Sequence, residues 1–352
     1  MEIEVSRHPK ISVVMSVYNG EKYLHEAIES IINQSLDDFE FVIINDASTD
    51  ASLKIIESFR DPRILLITNE TNLGLTKSLN KGLGIAKGEF IARMDADDIC
   101  YPQRLEKQTA FFEKNRDIAL CGTWVAILGD TNRRGESPVT HDEIKFTMLC
   151  HNAFAHPSVM WRREVLEGMA LKYDEKFTTA QDYELFSRVV HLVKTANIPE
   201  VLLYYREHEN QVTKKRQLNQ QTNAQIIKLA QLNFLELKPS GSEITAHLSL
   251  FDGQFTKNAD PVTLRNADEW MYKIVLTNRI FQIYSEKLLF DYWRSKLFGY
   301  GLGIYNLRKW NVIMRSYCNA NCSISKRLTL KLLIKCLLHW KEKGYKSGYK
   351  SK

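Results

Sequence analysis

The stretch GEFIARMDADD, residues 88–98, decides the reading of this chain. Its first part, EFIARM, has the short apolar character of a buried strand, and it runs straight into Asp95, Asp97 and Asp98. Three carboxylates within four positions repel one another and are costly to bury. Hard divalent cations relieve such repulsion. They take oxygen ligands, and magnesium typically binds through one or two carboxylates plus substrate phosphates. The plain alternative is a capped helix start, with the Asp side chains bonding free N–H groups ahead of a helix at 103–115.

Three further strand and helix pairs precede that stretch. ISVVMSV, 11–17, reads as a buried strand. After it Leu24, Ala27, Ile28, Ile31 and Ile32 mark one helix face. FEFVIIN, 39–45, is the second strand, and Ser48, Thr49 or Asp50 is expected to cap a helix over 50–60. RILLIT, 63–68, is the third, followed by a loop and a helix closed by Gly88. Strands alternating with helices predict an α/β fold with a parallel, doubly wound sheet. Ligands bind such sheets at the carboxyl ends of the strands. Tyr18-Asn19-Gly20, Asp46 and the Asp95–Asp98 cluster would therefore meet at one edge.

Beyond the acids the pattern predicts a helix at 103–115 and a strand at 118–128. HPSVMW (156–161) and VLLYYR (201–206) read as strands, and QDYELFSRVVHLV (181–193) as an amphipathic helix opening on Gln181-Asp182. From about residue 214 the patterns are helical. The 352 residues suffice for two domains; 44% are hydrophobic and 26% charged, as in an ordinary globular protein.

ISVVMSVYNGEKYLHEAIESIINQS, FEFVIINDASTD, NLGLTKSLNKG and GEFIARMDADD together resemble a family-2 glycosyltransferase of the GT-A fold, of the bacterial surface-polysaccharide type. The similarity continues through HPSVMWRREVLE and QDYELFSRV to YYREHENQVT, covering residues 10–215. One Asp-x-Asp alone is weak evidence; these segments in the family's order and spacing are strong. The resemblance implies a mostly parallel, Rossmann-like sheet flanked by helices. It divides the chain into a transferase domain, 1–215, and a helical region, 216–352. The nucleotide-binding half is 1–100 and the acceptor half 101–215.

The resemblance also implies the chemistry. A nucleotide-sugar donor, expected to be a UDP-sugar, gives a hexose to a hydroxyl of a saccharide or lipid-linked acceptor, with inversion at the anomeric carbon. A divalent metal, Mn²⁺ or Mg²⁺, is implied at Asp97, with Asp95 assisting or contacting the ribose. Asp46 is implied in base recognition, and Tyr18 and Asn19 in shaping the same pocket. Gly74 would let a loop approach the ligand, and Lys77 would meet a phosphate. Asp182 is the expected general base. His156, Arg206 and His208 are candidates for the acceptor or diphosphate side. Two departures stand out: the family often has two acids where Asn45-Asp46 stands, and Glu-Asp where Gln181-Asp182 stands. An amide cannot take a proton at neutral pH, so Gln181 cannot replace an acid.

Net charge is +6 and the pI about 8.8. The segment 326–352 is rich in Lys and Arg, interleaved with Leu and Trp340, and Glu342 is its single acid. That pattern suits an anionic membrane surface, or a packed terminal helix with a wet basic face, and not a nucleic-acid domain. Cys100, Cys121, Cys150, Cys318, Cys322 and Cys336 are scattered and read as free thiols of a reducing compartment. The N-terminus shows no secretory signal. The expected location is cytoplasmic, or peripheral on the inner membrane face. A nucleotidyltransferase would usually carry a Gly-rich phosphate loop near the first strand, and SVYNGEKY is poor in glycine. A non-catalytic binding protein is the other alternative; loss of Asp97 or Asp182 would signal it, and both are present.

Overall fold

The contiguous apolar runs become the centre of a nine-stranded mixed sheet. The computed structural model describes residues 8–209, 211, 216–251 and 261–303. In chain order its first elements are β1 (Ile11–Val17), α1 (Leu24–Ile32), β2 (Phe39–Asn45), α2 (Ser52–Ser58), β3 (Ile64–Thr68), α3 (Leu75–Ile85) and β4 (Phe90–Met94). Then follow β5 (Ile99–Cys100), α4 (Arg104–Lys114), β6 (Ile118–Ile127), β7 (Asp130–Gly135), α5 (His141–Thr147), β8 (Met160–Arg162), α6 (Arg163–Gly168), α7 (Gln181–Val189), β9 (Lys194–Tyr205) and α8 (Gln217–Ala230).

The strand order is β3-β2-β1-β4-β8-β6-β9-β5, with β7 paired to β6. The first four strands are parallel. Val17 pairs with Asn45, and Met15 with Met94, so the carboxyl ends of β1, β2 and β4 lie close to one level. The side-chain period of two then divides the core between two faces. Val13, Met15, Phe41, Ile43, Phe90, Ala92 and Met94 join α1 on one face. Val14, Val42, Ile44 and Ile91 join Leu79 of α3 and Tyr183 and Phe186 of α7 on the other.

Four local expectations change. Gly88 does not close α3, which ends at Ile85. Glycine is needed there because a Cβ would stand 2.3 Å from the Ser12 nitrogen of β1. The helix expected at 50–60 spans only Ser52–Ser58 and its N-cap is Ala51, none of the three proposed residues; Asp50, one position earlier, accepts from the Ser52 N–H at 2.9 Å. Residues 156–158 form a 3-10 turn with Pro157 inside it, and the strand begins only at Met160. Proline supplies no N–H for a ladder and suits the first turn of a helix. Finally, β9 begins at Lys194, well before residue 201. The intervening Pro199 falls at a register shift, between Ile198 opposite Thr123 and Val201 opposite Trp124.

The chain divides into two compact units. The first comprises residues up to 148 with 152–227, and the second 149–151 with 228 onward. Besides the end of α8, the second unit contains α9 (Gly241–Phe251), α10 (Pro261–Phe281) and α11 (Glu286–Gly303). Leu250, Phe251, Trp270, Met271, Ile274, Leu289 and Trp293 are buried in it. The Trp270 indole donates to His247 Nδ1 at 3.1 Å. Cys100, Cys121 and Cys150 are free and buried. Cys318, Cys322, Cys336 and the basic segment 326–352 lie outside the described residues. Among the described residues no helix is long and apolar enough to cross a membrane.

Candidate active site

The turn after β4 gathers three carboxylates. One carboxylate oxygen from each of Asp95, Asp97 and Asp98 lies within 4.8 Å of the others. None of them caps the next helix: α4 starts at Arg104 behind Gln103, which makes no side-chain cap bond. Burial, and then the charge of Asp95, push the Asp97 carboxyl above the ordinary carboxylate range. The same causes, with Asp97 added, push Asp98 up much further. Asp98 Oδ2 is buried without a hydrogen-bond partner. Buried oxygens in that state suit a divalent cation, so the residues fit the metal that the sequence pattern implies.

A segment far away in sequence braces this turn. The Arg206 N–H donates to Asp98 Oδ1 at 2.9 Å, and its Nε to the Asp97 carbonyl at 2.8 Å. Arg206 Nη2 reaches Glu26 Oε2 at 2.6 Å, and its guanidinium lies over the Tyr23 ring. His208 Nε2 stands 2.9 Å from Asp97 Oδ2, with its ring against Tyr23. Asp95 pairs with Arg93, a buried residue of β4.

The loops after β1 and β2 are closed by conventional hydrogen bonds. Asn19, at φ 52°, accepts from the Thr49 N–H at 2.8 Å, and its own N–H donates to Ser48 Oγ. Asp50 Oδ2 accepts from the Glu21 N–H, and Glu21 Oε2 accepts from the Ala51 N–H. Tyr18 is left 52% exposed at the rim, and Lys77 is exposed in the first turn of α3.

Asp46 does not face this rim. It is 1% exposed, and its oxygens accept from the Leu73 N–H, the Gly74 N–H and Asn69 Nδ2, each at 2.8 Å. These bonds tie Asp46 to the 69–74 turn. Gly74 has φ 87° and open space where a Cβ would be, so conformation rather than crowding calls for glycine.

Residues 12–169 match the profile of glycosyl transferase family 2. An uncharacterized glycosyltransferase of Haemophilus influenzae is 36% identical over 239 residues, 64% of this chain and 74% of that protein. The chain belongs to glycosyltransferase family 2. An O-antigen biosynthesis glycosyltransferase of Escherichia coli, WbnJ, is 34% identical over 219 residues, 59% of this chain and 83% of that protein. In fold it is similar to residues 1–349 of S. aureus TarS, solved with UDP-GlcNAc. The TM-score is 0.55 and the identity 19%, covering 82% of this chain and 88% of that one. The architecture is of the GT-A kind.

In this family 2 enzyme Asp182 occupies the first turn of α7, behind Ala180 at φ 55°. Asn152 Nδ2 donates to Asp182 Oδ2 at 2.7 Å. Burial pushes the Asp182 carboxyl up, while the Tyr183 N–H and the charge of Arg93 pull it down. Gln181 beside it is buried. His156 is corrected to a core residue. It is 9% exposed, its Nε2 lies 2.7 Å from the Tyr173 hydroxyl, and its ring packs on Phe186. Burial keeps it neutral by pushing its pKa well down. Sequence reading passed over Arg93, Asn152, Tyr23 and Glu26. Of these only Arg93 left a signal, a charge inside a strand whose five residues are all buried.

Proposed function

We propose that this glycosyltransferase transfers a hexose-type sugar, with inversion, from a UDP-sugar to a hydroxyl of a saccharide or lipid-linked acceptor in surface-polysaccharide synthesis. One observation carries the reading. Three crowded carboxylates, two of them held above their ordinary range, close the fourth strand of a GT-A sheet. WbnJ's role in O-antigen biosynthesis supports the pathway class, and the UDP-GlcNAc bound to TarS supports the donor class.

Asp95 and Asp97 would hold a divalent cation, with His208 within reach of the same carboxylate. A bound Mn²⁺ or Mg²⁺ supplies Lewis-acid stabilisation for the charge that builds on a departing nucleotide diphosphate. Arg206 keeps the turn in place through the Asp97 carbonyl and Asp98. Tyr18 and Asn19 form the rim on which the nucleotide would lie, and Lys77 stands ready for a phosphate. Asp182 accepts the proton of the acceptor hydroxyl as that oxygen attacks the anomeric carbon. Burial raises its pKa, which makes its ionised form a stronger base than a free carboxylate.

The test is a panel of nucleotide-sugars, with and without Mn²⁺, reading nucleotide diphosphate release. The reading expects metal-dependent release from a UDP-hexose. Full release in excess EDTA, or none from any member with metal present, would overturn it.

A further inference from the structure

Unit one buries two arginines, Arg93 in β4 and Arg104 at the start of α4, and they differ in kind. Arg104 is 0% exposed. Its Nε donates to Gln108 Oε1 at 3.0 Å, its Nη1 to Cys100 Sγ at 3.0 Å and its Nη2 to the Arg93 carbonyl at 2.7 Å. Every nitrogen has a partner, as a structural arginine requires. Arg93 is 5% exposed, and only its Nη2 is engaged, with Asp95. Its Nε and Nη1 are buried and unpartnered. Each unpaired buried donor costs about 1–3 kcal/mol, more on a charged group. Packing alone would favour an apolar residue at such a position.

The strand period says where the charge points. Phe90, Ala92 and Met94 belong to the face shared with α1, whereas Ile91 belongs to the face shared with Tyr173, Tyr183 and Phe186. Arg93 therefore projects towards that second face, the α7 side. His156, Tyr173 and Asp182 all feel the Arg93 charge.

We propose that Arg93 is a positioning residue for the transfer, fixing the Asp95 carboxylate on the donor side and presenting a buried counter-charge to Asp182 on the acceptor side. The proposal rests on Asp182 being the base. The groups acting on Asp182 come from several segments. Asn152 donates to it, the Tyr183 N–H of its own helix favours its ionised form, and Asp95 from the end of β4 disfavours it. Tyr173 also lies within electrostatic reach. Arg93 is the cation of that set. Without that cation the carboxylate would hold its proton to higher pH, and less of it would be in the proton-accepting form.

The test uses the full chain with Arg93→Met and Arg93→Lys, assayed with the donor found in the panel. The acid limb of kcat and the donor KM are read against pH. Arg93→Met should move the acid limb up by about 1 pH unit and raise KM. Arg93→Lys restores the charge and not the planar fork. It should return the limb towards its wild-type position while KM stays high. A wild-type acid limb in Arg93→Met, or two variants with the same profile, would overturn the proposal. If Arg93→Met does not fold, Arg93→Gln carries the same expectations. Asp182→Asn, run in parallel, separates the two failures. Retained kcat there removes the base assignment. Lost kcat there, with an unmoved limb in Arg93→Met, removes only the role of Arg93.

Discussion

The two strands that flank β1 in the sheet, β2 and β4, both lead into carboxylates, and they treat them in opposite ways. At the end of β2, Asp46 is surrounded by donors: two backbone N–H groups and an amide meet its oxygens. At the end of β4, Asp98 receives one N–H, has a buried oxygen with no partner and faces two like charges. A saturated carboxylate holds the fold together. An unsaturated one costs stability, and that cost is offset only when a cation arrives. The same residue type at the same edge can thus be scaffold or site, and the donors around it decide which.

The largest expected effect belongs to a third buried carboxylate, Asp182. Asp182→Asn keeps the shape and removes the basicity, and should lower kcat by about 10²–10⁴-fold while UDP binding stays within error of wild type. In the wild-type enzyme the proton-accepting form exists above the Asp182 pKa, which burial raises. Activity should therefore fall, as pH is lowered, at a pH above that of an ordinary carboxylate. A kcat with no acid limb in that region would assign the base elsewhere.

Asp46 and Asp98 should give effects of opposite sign on stability. Asp46→Ala strips three donors of their acceptor and should destabilise the metal-free protein by about 3 kcal/mol, read from denaturant unfolding. Asp98→Asn keeps the acceptor for the Arg206 N–H and removes one repelling charge, and should stabilise it by about 1 kcal/mol. Shifts of equal sign would erase the distinction between scaffold and site.

The smallest effect concerns the basic segment. Deleting 326–352 should weaken sedimentation with anionic vesicles at low salt, and leave neutral vesicles unaffected. Equal partitioning of both proteins would remove the membrane reading of that segment.

The saturated half of this comparison was harder to read from sequence than the unsaturated half. The parallel strands were legible because each is a continuous apolar run, and Asp95–Asp98 because three acids crowd directly after such a run. The donors around Asp46 were not legible because they lie 23 to 28 positions away, in a turn whose shape depends on Gly74. His156 reads the same in sequence whether it is a ligand or, as here, a neutral core residue hydrogen-bonded to Tyr173. The contact between His208 and Asp97 spans 111 positions, beyond any spacing rule. The early part of β9 was hidden by Pro199, which the sheet accommodates at a register shift.

The central claim is that the unsaturated turn after β4 is built for a divalent cation shared with a nucleotide diphosphate. Calorimetric titration of UDP into wild-type protein and Asp97→Asn, each with and without Mn²⁺, tests it most directly. The account predicts that Mn²⁺ tightens UDP binding to the wild type at least tenfold, about 1.4 kcal/mol, and leaves Asp97→Asn unchanged. Equal UDP affinity with and without Mn²⁺ in the wild type, or the same metal-dependent gain in the variant, would contradict it.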